Sequence, residues 1–230
     1  MPSTRKAPMA TETIPDAHKP HMAEVIYQAL RHDIAFGRLM PRQRLVESDL
    51  CVRFGTTNHN VRLAFELLDR VGLIERKANR GVEVKALSAQ ELMNLYEVRV
   101  MLQREGARSL DMSRREELVA QLSAINADYE KALDEDRLEA AAEANDAFHA
   151  LLFDYCRNAE LAKLQRSYWL NASAIISRAL TDRSLSQNSR KDHHEIIAAI
   201  SAGDVERLIE VTVGHIRPAV DVYRRLYGLF

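Results

Sequence analysis

The order of local patterns between residues 22 and 84 constrains the fold of this chain more than any other feature. Residues 22–36 place an isoleucine or leucine at every fourth position from Ile26, a spacing that predicts an amphipathic helix. A shorter helix is predicted over residues 47–54, and a glycine follows each segment as a helix stop. Two short helices so close together favour a small helical domain.

A third helical pattern and a hairpin pattern complete this segment. Thr57 is a preferred N-cap residue, and the helix predicted after it has one apolar face. Residues 73–76 and 82–84 predict two short strands joined by a turn at residues 78–81, where Gly81 supplies backbone freedom. Three helices followed by a small β-ribbon predict a winged helix-turn-helix domain.

From residue 88 to residue 230 the sequence carries only helical patterns. Ser88 and Glu91 form a capping box, in which a serine and a glutamate three positions apart begin a helix. Residues 189–192 resemble a second capping box, and Pro218 predicts a kink in the last helix because proline lacks the backbone N–H. Further helices are predicted over residues 113–132, 137–156, 159–180, 190–201 and 203–226.

These patterns divide the chain into three parts. Residues 1–20 contain four prolines and no apolar run, so we expect a disordered tail. Residues 21–87 form the predicted N-terminal winged helix-turn-helix domain, and residues 88–230 form an all-α helical bundle. The predicted fold class is therefore mostly α, and a hydrophobic content of 47% is sufficient for real cores.

Cysteine usage and hydrophobicity bear on the location of the protein. Cys51 and Cys156 fit no C-x-x-C pattern, so a disulfide framework is unsupported and a reducing compartment is expected. The longest uncharged stretch in the strongly apolar part, residues 167–177, is eleven residues long. A membrane span needs about 20 residues. We therefore expect a cytoplasmic protein without a membrane partner.

Charge is unevenly divided although the whole chain is nearly neutral at −1. Residues 21–87 hold 11 Lys and Arg against 8 Asp and Glu, a net charge of +3. Residues 88–230 hold 18 against 23, a net charge of −5. A slightly basic first domain is compatible with nucleic-acid binding, since neutralisation of phosphates drives such contacts.

Three histidines lie on the predicted apolar faces of three different helices. They are His149, His193 and His215, whereas His194 falls on a polar face. A single inward histidine is usually a hydrogen-bonded core residue. Three unpaired imidazoles buried together would be costly, but a shared divalent metal ion satisfies them all, and neutral imidazole favours zinc or nickel.

The N-terminal part resembles the winged-helix domain of the GntR family of bacterial transcription regulators. The similar segments are IYQALRHDIAFGRLMPRQRL, ESDLCVRFG and NVRLAFELLDRVGLIERKANRGVEV. The bundle, which opens with LYEVRVML, is similar to the FadR-like sensory domain called FCD. The resemblance covers almost everything after the tail. It implies a homodimer that binds a double-stranded DNA operator with two-fold symmetry.

The resemblance also implies where DNA is contacted. In such regulators the amino end of the third helix enters the major groove and the wing lies over the minor groove. The usual Ser-Arg-Thr-Pro is here replaced by residues 57–60, so a different operator is expected, and loss of DNA binding is the alternative. The implied DNA-binding residues are Thr57, Asn58, His59, Arg62, Arg80 and Gly81.

Many FCD domains bind a metal ion through Asp-x-x-x-His and two later histidines. In this sequence the pattern falls on Asn145, His149, His193 and His215. Asn145 replaces the aspartate and brings no charge, so we expect weaker binding, above all of hard cations. Asp146 is the alternative fourth ligand, although its spacing favours a solvated position.

Arg99 lies on or beside the inward face of the first bundle helix, where an arginine needs an anion. One interpretation is a salt bridge within the bundle. The other is an effector carboxylate, held by Arg99 at one end and by the metal at the other. Tyr96 could add a hydroxyl, and a packed tyrosine is the alternative.

The patterns together predict a DNA-binding transcription regulator that senses a small carboxylate through a bound divalent metal. A first alternative is the same regulator with a purely structural metal or with none. A second is a metal-dependent hydrolase, because histidine-bound metals activate water. The sequence shows no convincing general base near the histidines and no nucleophile motif, so we expect no enzyme.

Overall fold

The computed structural model describes residues 21–77 and 81–229, and its first domain is a winged helix. Its elements are α1 (Met22–Ala35), β1 (Arg44–Leu45), α2 (Glu47–Phe54), α3 (Asn58–Arg70), β2 (Ile74–Lys77) and β3 (Gly81–Val84). The three strands form an antiparallel sheet in the order β1, β3, β2, with Glu83 opposite both Arg44 and Glu75. The predicted winged helix-turn-helix is confirmed. The predicted tail, residues 1–20, lies outside the described residues.

The sheet differs from the predicted two-stranded hairpin. The first hairpin strand is shifted by one residue, and β1 adds a third strand. A two-residue strand is too short to show alternation in the sequence, so only its pairing with β3 reveals it. The predicted turn at residues 78–81 is described only at Gly81.

The winged-helix core joins α1 to α3. Ile26 and Leu30 of α1 are fully buried, as is Phe65 of α3, and the two helices pack against each other. Thr57 stands at the N-cap position of α3, but its side chain makes no capping hydrogen bond. The predicted N-cap position of Thr57 is confirmed, but its exposed hydroxyl does not bond the helix and is available to other partners.

The second domain is the all-α bundle predicted from the sequence. Its helices are α4 (Ala89–Arg108), α5 (Arg115–Asp134), α6 (Leu138–Asp154), α7 (Ala159–Asn171), α8 (Ser173–Leu180), α9 (Arg183–Ala202), α10 (Val205–Ile216) and α11 (Pro218–Tyr227). Its first capping box is confirmed, because the Glu91 amide donates to Ser88 Oγ at 3.2 Å and Ser88 N donates to Glu91 Oε2 at 2.9 Å.

Three predicted helix boundaries are wrong. The helix predicted over residues 159–180 breaks at Ala172 into α7 and α8. The next helix starts at Arg183 with Asp182 as its N-cap, so residues 189–192 lie inside α9 and form no capping box. The predicted kink at Pro218 is a complete break between α10 and α11, because proline has no N–H to continue the ladder.

The two domains meet where α1 packs against α8. Arg178 Nη1 of α8 donates to the carbonyl of Phe36 at 3.2 Å, immediately after α1. Arg38 forms an ion pair with Glu139 of α6. Among the helices of the described residues, none is long and apolar enough to cross a membrane.

Candidate metal centre and DNA-binding surface

Helices α6, α9 and α10 bring His149, His193 and His215 together inside the bundle. Each offers one ring nitrogen, and these three atoms lie within 4.8 Å of one another. The His149 and His215 Nε2 atoms are 3.2 Å apart. His149 and His193 are fully buried, and His215 is nearly so. The cluster therefore has the imidazole donors that a transition-metal ion prefers.

Two of these rings are oriented by oxygen acceptors behind them. His193 Nδ1 lies 3.0 Å from Asn126 Oδ1 of α5, and His215 Nδ1 lies 3.1 Å from Asp192 Oδ2. Because these oxygens accept, each Nδ1 donates and each Nε2 keeps a free lone pair facing the cluster. Asn126 and Asp192 were missed in the sequence, since their partners are distant along the chain.

The protein environment favours the neutral form of His149 and His193. Burial, reinforced by the nearby His215, His193 and Arg99, lowers the pKa of His149 well below its ordinary value. Burial, with His215 and His194 nearby, likewise lowers the pKa of His193. Neutral imidazole is the form that ligates metals. His194 itself is exposed and pairs with Glu130 at 2.6 Å, as expected for the polar face.

The residues present fit a divalent metal ion. His193 Nε2 and His149 Nδ1 are buried without a hydrogen-bond partner among the described residues. Leaving His193 Nε2 unpaired is costly, whereas an ion in contact with this atom satisfies its lone pair. The donor set, three imidazoles of which two have oriented Nδ1 atoms, matches zinc and nickel better than hard, oxygen-preferring cations.

Asn145 and Asp146 occupy different environments on α6. Asn145 is 2% exposed and lines the cavity beside the histidines, one turn from His149. Asp146 instead accepts from Trp169 Nε1 at 2.9 Å and lies 3.6 Å from Arg31 Nη1 of α1. Asp146, whose side chain is 34% exposed, is therefore only partly solvated. Its carboxylate already has two partners outside the histidine cluster.

A cavity of about 40 Å³ adjoins the histidine cluster. The cavity is small, with room for only a few water-sized groups. Its polar lining comes from Tyr96, Arg99, Asn145, Ser189, Asp192 and His215. Trp169 and aliphatic side chains of α8, α9, α10 and α11 complete the walls. A mixed lining of this kind suits a small polar ligand.

Arg99 reaches this cavity without a carboxylate partner. Arg99 is 5% exposed, and its guanidinium lies 4.7 Å from the Tyr96 ring centroid and 5.4 Å from the Trp169 ring centroid. Its Nη1 atom has no hydrogen-bond partner within the described ranges. The salt-bridge interpretation is therefore wrong for the described part of the chain. The ring of Tyr96 is packed, but its buried hydroxyl is also unpartnered there. Burial raises the pKa of Tyr96, so this hydroxyl remains a donor.

The amino end of α3 presents a polar surface. Asn58 and His59 are exposed, and Asn58 Oδ1 accepts from Cys51 Sγ at 3.2 Å. Arg62, whose side chain is 63% exposed, donates from Nε to Glu47 Oε2 at 2.9 Å. These side chains and that of Thr57 share one end of the helix, where they can reach base edges or phosphates.

The wing places Gly81 at an exposed start of β3. Gly81 has a φ of 78°, in the left-handed region that favours glycine. A side chain at this position would lie 3.8 Å from Arg44 Nε. Arg44 is thus a cation beside the wing that the sequence analysis missed, because β1 gives no detectable pattern. The predicted contact Arg80 lies outside the described residues.

A winged helix joined to an all-α bundle with an internal polar cavity defines a two-domain DNA-binding regulator. Residues 22–84 match the family described as bacterial regulatory proteins, gntR family, and residues 94–218 match the FCD domain. The chain belongs to the GntR family of bacterial transcription regulators and carries an FCD domain. The predicted resemblance and fold class are confirmed.

Relatives along nearly the full length support this assignment. The chain is 25% identical over 224 residues to the HTH-type transcriptional regulator BphR of Paraburkholderia xenovorans (strain LB400), covering 94% of this chain and 90% of BphR. It is 25% identical over 219 residues to the HTH-type transcriptional repressor GlaR of Escherichia coli (strain K12), covering 86% of this chain and 94% of GlaR. These relatives are transcription regulators, so the hydrolase alternative is wrong.

A solved structure shares the same two-domain fold. E. coli McbR/YncC superposes with a TM-score of 0.72 at 17% sequence identity, over 91% of this chain and 100% of that chain. At this identity the likeness establishes the architecture alone.

Proposed function

We propose that this transcription regulator senses a small carboxylate at a divalent metal ion, zinc or nickel, held by Asn145, His149, His193 and His215. The observation that carries the proposal is the convergence of three imidazoles on one point inside the bundle, two of them oriented by oxygen acceptors. The unpartnered Nη1 of Arg99, in the wall of the adjoining cavity, supports the anionic nature of the effector.

Each residue of the centre has a distinct role in this proposal. The imidazoles bind the ion through nitrogen, and Asn145 adds a neutral oxygen. When bound, the ion supplies a Lewis-acidic anchor for a carboxylate oxygen. Arg99 donates to the other end of the effector, and the Tyr96 hydroxyl adds a further donor. A cavity of about 40 Å³ restricts the effector to a few heavy atoms unless surrounding helices move.

Elemental analysis of protein purified without a chelating tag tests the metal centre. We expect wild type to carry one zinc or nickel ion per chain, or to bind either when it is added. His193→Ala should lose this ion, because a buried ligand is removed. His194→Ala is the matched control, since His194 is the next residue but exposed. Failure of wild type to bind zinc or nickel would overturn the metal centre.

A titration of the metal-loaded protein with small mono- and dicarboxylates tests the effector class. We expect at least one of them to raise the thermal midpoint of wild type. Arg99→Met should abolish this response while leaving metal content unchanged, because methionine fills similar space without the charge. If the metal ion is purely structural, no carboxylate should change the stability or the DNA affinity of the protein. His193→Ala should then lower only the melting temperature.

The DNA contacts are assigned to the exposed residues at the amino end of α3 and in the wing. Thr57, Asn58, His59, Arg62 and Gly81 are exposed, and Arg80, which lies outside the described residues, precedes Gly81 in the sequence. A footprint of the purified chain on its own upstream DNA should show two half-sites related by two-fold symmetry. Absence of any sequence-selective footprint would contradict this assignment.

Two-fold DNA binding requires a homodimer, and the groove between α4 and α11 suits a second copy of the chain. It has a volume of about 500 Å³, and Met93 and Met101 are 40% and 63% exposed there. The groove contains two acidic and two basic residues. In an interface with two-fold symmetry, the acidic residues of one copy can pair with the basic residues of the other. They are Glu97, Asp221, Arg217 and Arg224.

Sedimentation tests this dimer face. Met101→Lys should shift the chain towards the monomer, because a charge would be buried at the interface. Leu164→Lys is the matched control, since Leu164 is 50% exposed on α7 and lies outside the groove. Equal association of wild type and Met101→Lys would exclude this face.

A further inference from the structure

We propose that Asp146 couples the metal centre to the DNA-binding domain by joining Trp169, in the wall of the effector cavity, to Arg31 of α1. This inference rests on the proposed function for its ligand. Its contacts are nevertheless independent of the metal, because Asp146 does not belong to the histidine cluster.

Trp169 is the residue that contacts both parts of the sensing site. Its ring stacks on the imidazole of His149, with centroids 4.2 Å apart and planes inclined by 30°. The Arg99 guanidinium lies 5.4 Å from its ring centroid, and Trp169 lines the cavity. A change in the position of His149 or Arg99 therefore acts directly on the indole, which is in contact with both.

Asp146 connects this indole to the other domain through its two carboxylate oxygens. Oδ1 accepts from Trp169 Nε1 at 2.9 Å, and Oδ2 lies 3.6 Å from Arg31 Nη1. Asp146 lies on α6 within one turn of His149. One side chain thus touches the wall of the cavity and the first helix of the winged-helix domain.

The interface around Arg31 has room to rearrange. A cleft of about 390 Å³ is lined by α1, α6 and α8 at this point, and ion pairs between α1 or its C-terminal loop and α6 bridge it. The Arg31 and Asp146 side chains are 26% and 34% exposed, and Arg31 Nε has no hydrogen-bond partner among residues 21–77 and 81–229. An ion pair of this kind is easily re-formed in another geometry, in contrast to a dry core contact.

A displacement of Arg31 displaces α1, and α1 transmits the displacement to the DNA-binding surface. Leu30 of α1 and Phe65 of α3 are fully buried in the same core, so α1 and α3 move together. A displacement of α1 relative to the bundle therefore changes how the recognition helix is presented in each winged helix of a dimer. The coupling is the difference in DNA affinity between the two positions of α1 relative to the bundle.

The chain contains a built-in reporter for this coupling, because Trp169 is its single tryptophan. Asp146→Asn keeps the shape and an acceptor for Trp169 but removes the charge that attracts Arg31, and Arg31→Met removes the other partner. Glu139→Gln is the matched control, since Glu139 bridges the same cleft to Arg38 without touching Trp169. Operator affinity is measured on a duplex selected in vitro for binding by the full chain, with and without zinc chloride.

We expect zinc to change the operator affinity of wild type by about fivefold or more. In Asp146→Asn and Arg31→Met this change should fall below about twofold, with zinc content unaltered, and the double variant should resemble either single variant. Glu139→Gln should retain the full change. A full zinc response in Asp146→Asn, or an equal loss in Glu139→Gln, would overturn the coupling role.

A second readout separates this inference from the proposed function. Coupling is reciprocal, so binding of the duplex should shift Trp169 fluorescence in metal-free wild type and not in Asp146→Asn. If wild type binds no zinc but shows this shift, the metal centre fails and the coupling through Asp146 stands. If wild type binds zinc and the duplex never shifts the fluorescence, the coupling fails and the metal centre stands.

Discussion

At the residue scale, Asn145 is where this centre departs from the acidic pattern of its family. Asn145→Asp should tighten zinc binding by about tenfold or more, since a carboxylate adds charge to the ligand set. Competition against a chromophoric chelator measures this change. Glu143→Gln is the control, because Glu143 lies exposed on the same helix and should leave affinity unaltered. Equal zinc affinity in Asn145→Asp and wild type would exclude position 145 from the ligand set.

The buried histidines also predict how pH affects the metal-free protein. The pKa values of His149 and His193 are depressed in the folded state, whereas unfolded histidine titrates near about 6.5. Below that pH the unfolded chain binds protons that the folded chain does not. Stability should therefore fall as pH decreases from 7.5 to 5, by at most about 1.4 kcal/mol per pH unit for each histidine.

Urea denaturation of chelator-treated protein measures this slope. His193→Leu should show a shallower slope than wild type, because one of the two depressed groups is gone. His194→Gln is the matched control and should retain the wild-type slope, since His194 is exposed. A slope that is identical in His193→Leu and wild type would show that His193 is protonated in the folded protein.

At the element scale, two N-caps that look equivalent in the sequence differ in the structure. Ser88 Oγ accepts from the Glu91 amide within a complete capping box, whereas the Thr57 side chain makes no capping bond. Ser88→Ala should cost about 1 kcal/mol of unfolding free energy, and Thr57→Ala less than about 0.5 kcal/mol. Chemical denaturation compares them. Thr57→Ala should instead weaken operator binding, and the reverse pattern would contradict both assignments.

At the scale of the whole molecule, DNA affinity should depend steeply on salt despite a net charge of −1. Arg62→Ala should reduce the slope of log affinity against log salt by about 1 for each winged helix bound, because one phosphate-neutralising cation is lost. Fluorescence anisotropy over a range of salt concentrations measures the slope. Arg70→Ala, at the opposite end of α3, is the control and should leave it unchanged.

Local patterns in the sequence determined the elements of both domains. Apolar residues at helical spacing predicted α1 and α3, and the glycine and strand pattern predicted the wing. The inward histidines were recognised for the same reason, since a residue's face depends only on its spacing along its own helix. Helix boundaries were harder to predict, because the break at Ala172 and the start of α9 at Arg183 depend on how neighbouring helices pack.

Only the tertiary structure decided which groups meet across helices. The acceptors Asn126 and Asp192, the cation Arg44 beside the wing, and the contacts of Asp146 involve partners far away in the chain. No periodic pattern encodes such pairs, because they depend on the angle and register at which separate helices and strands pack. The sequence by itself determined a winged-helix regulator with three inward histidines. Packing decided that these histidines lie in one cluster, and that Asp146 contacts Trp169 and Arg31.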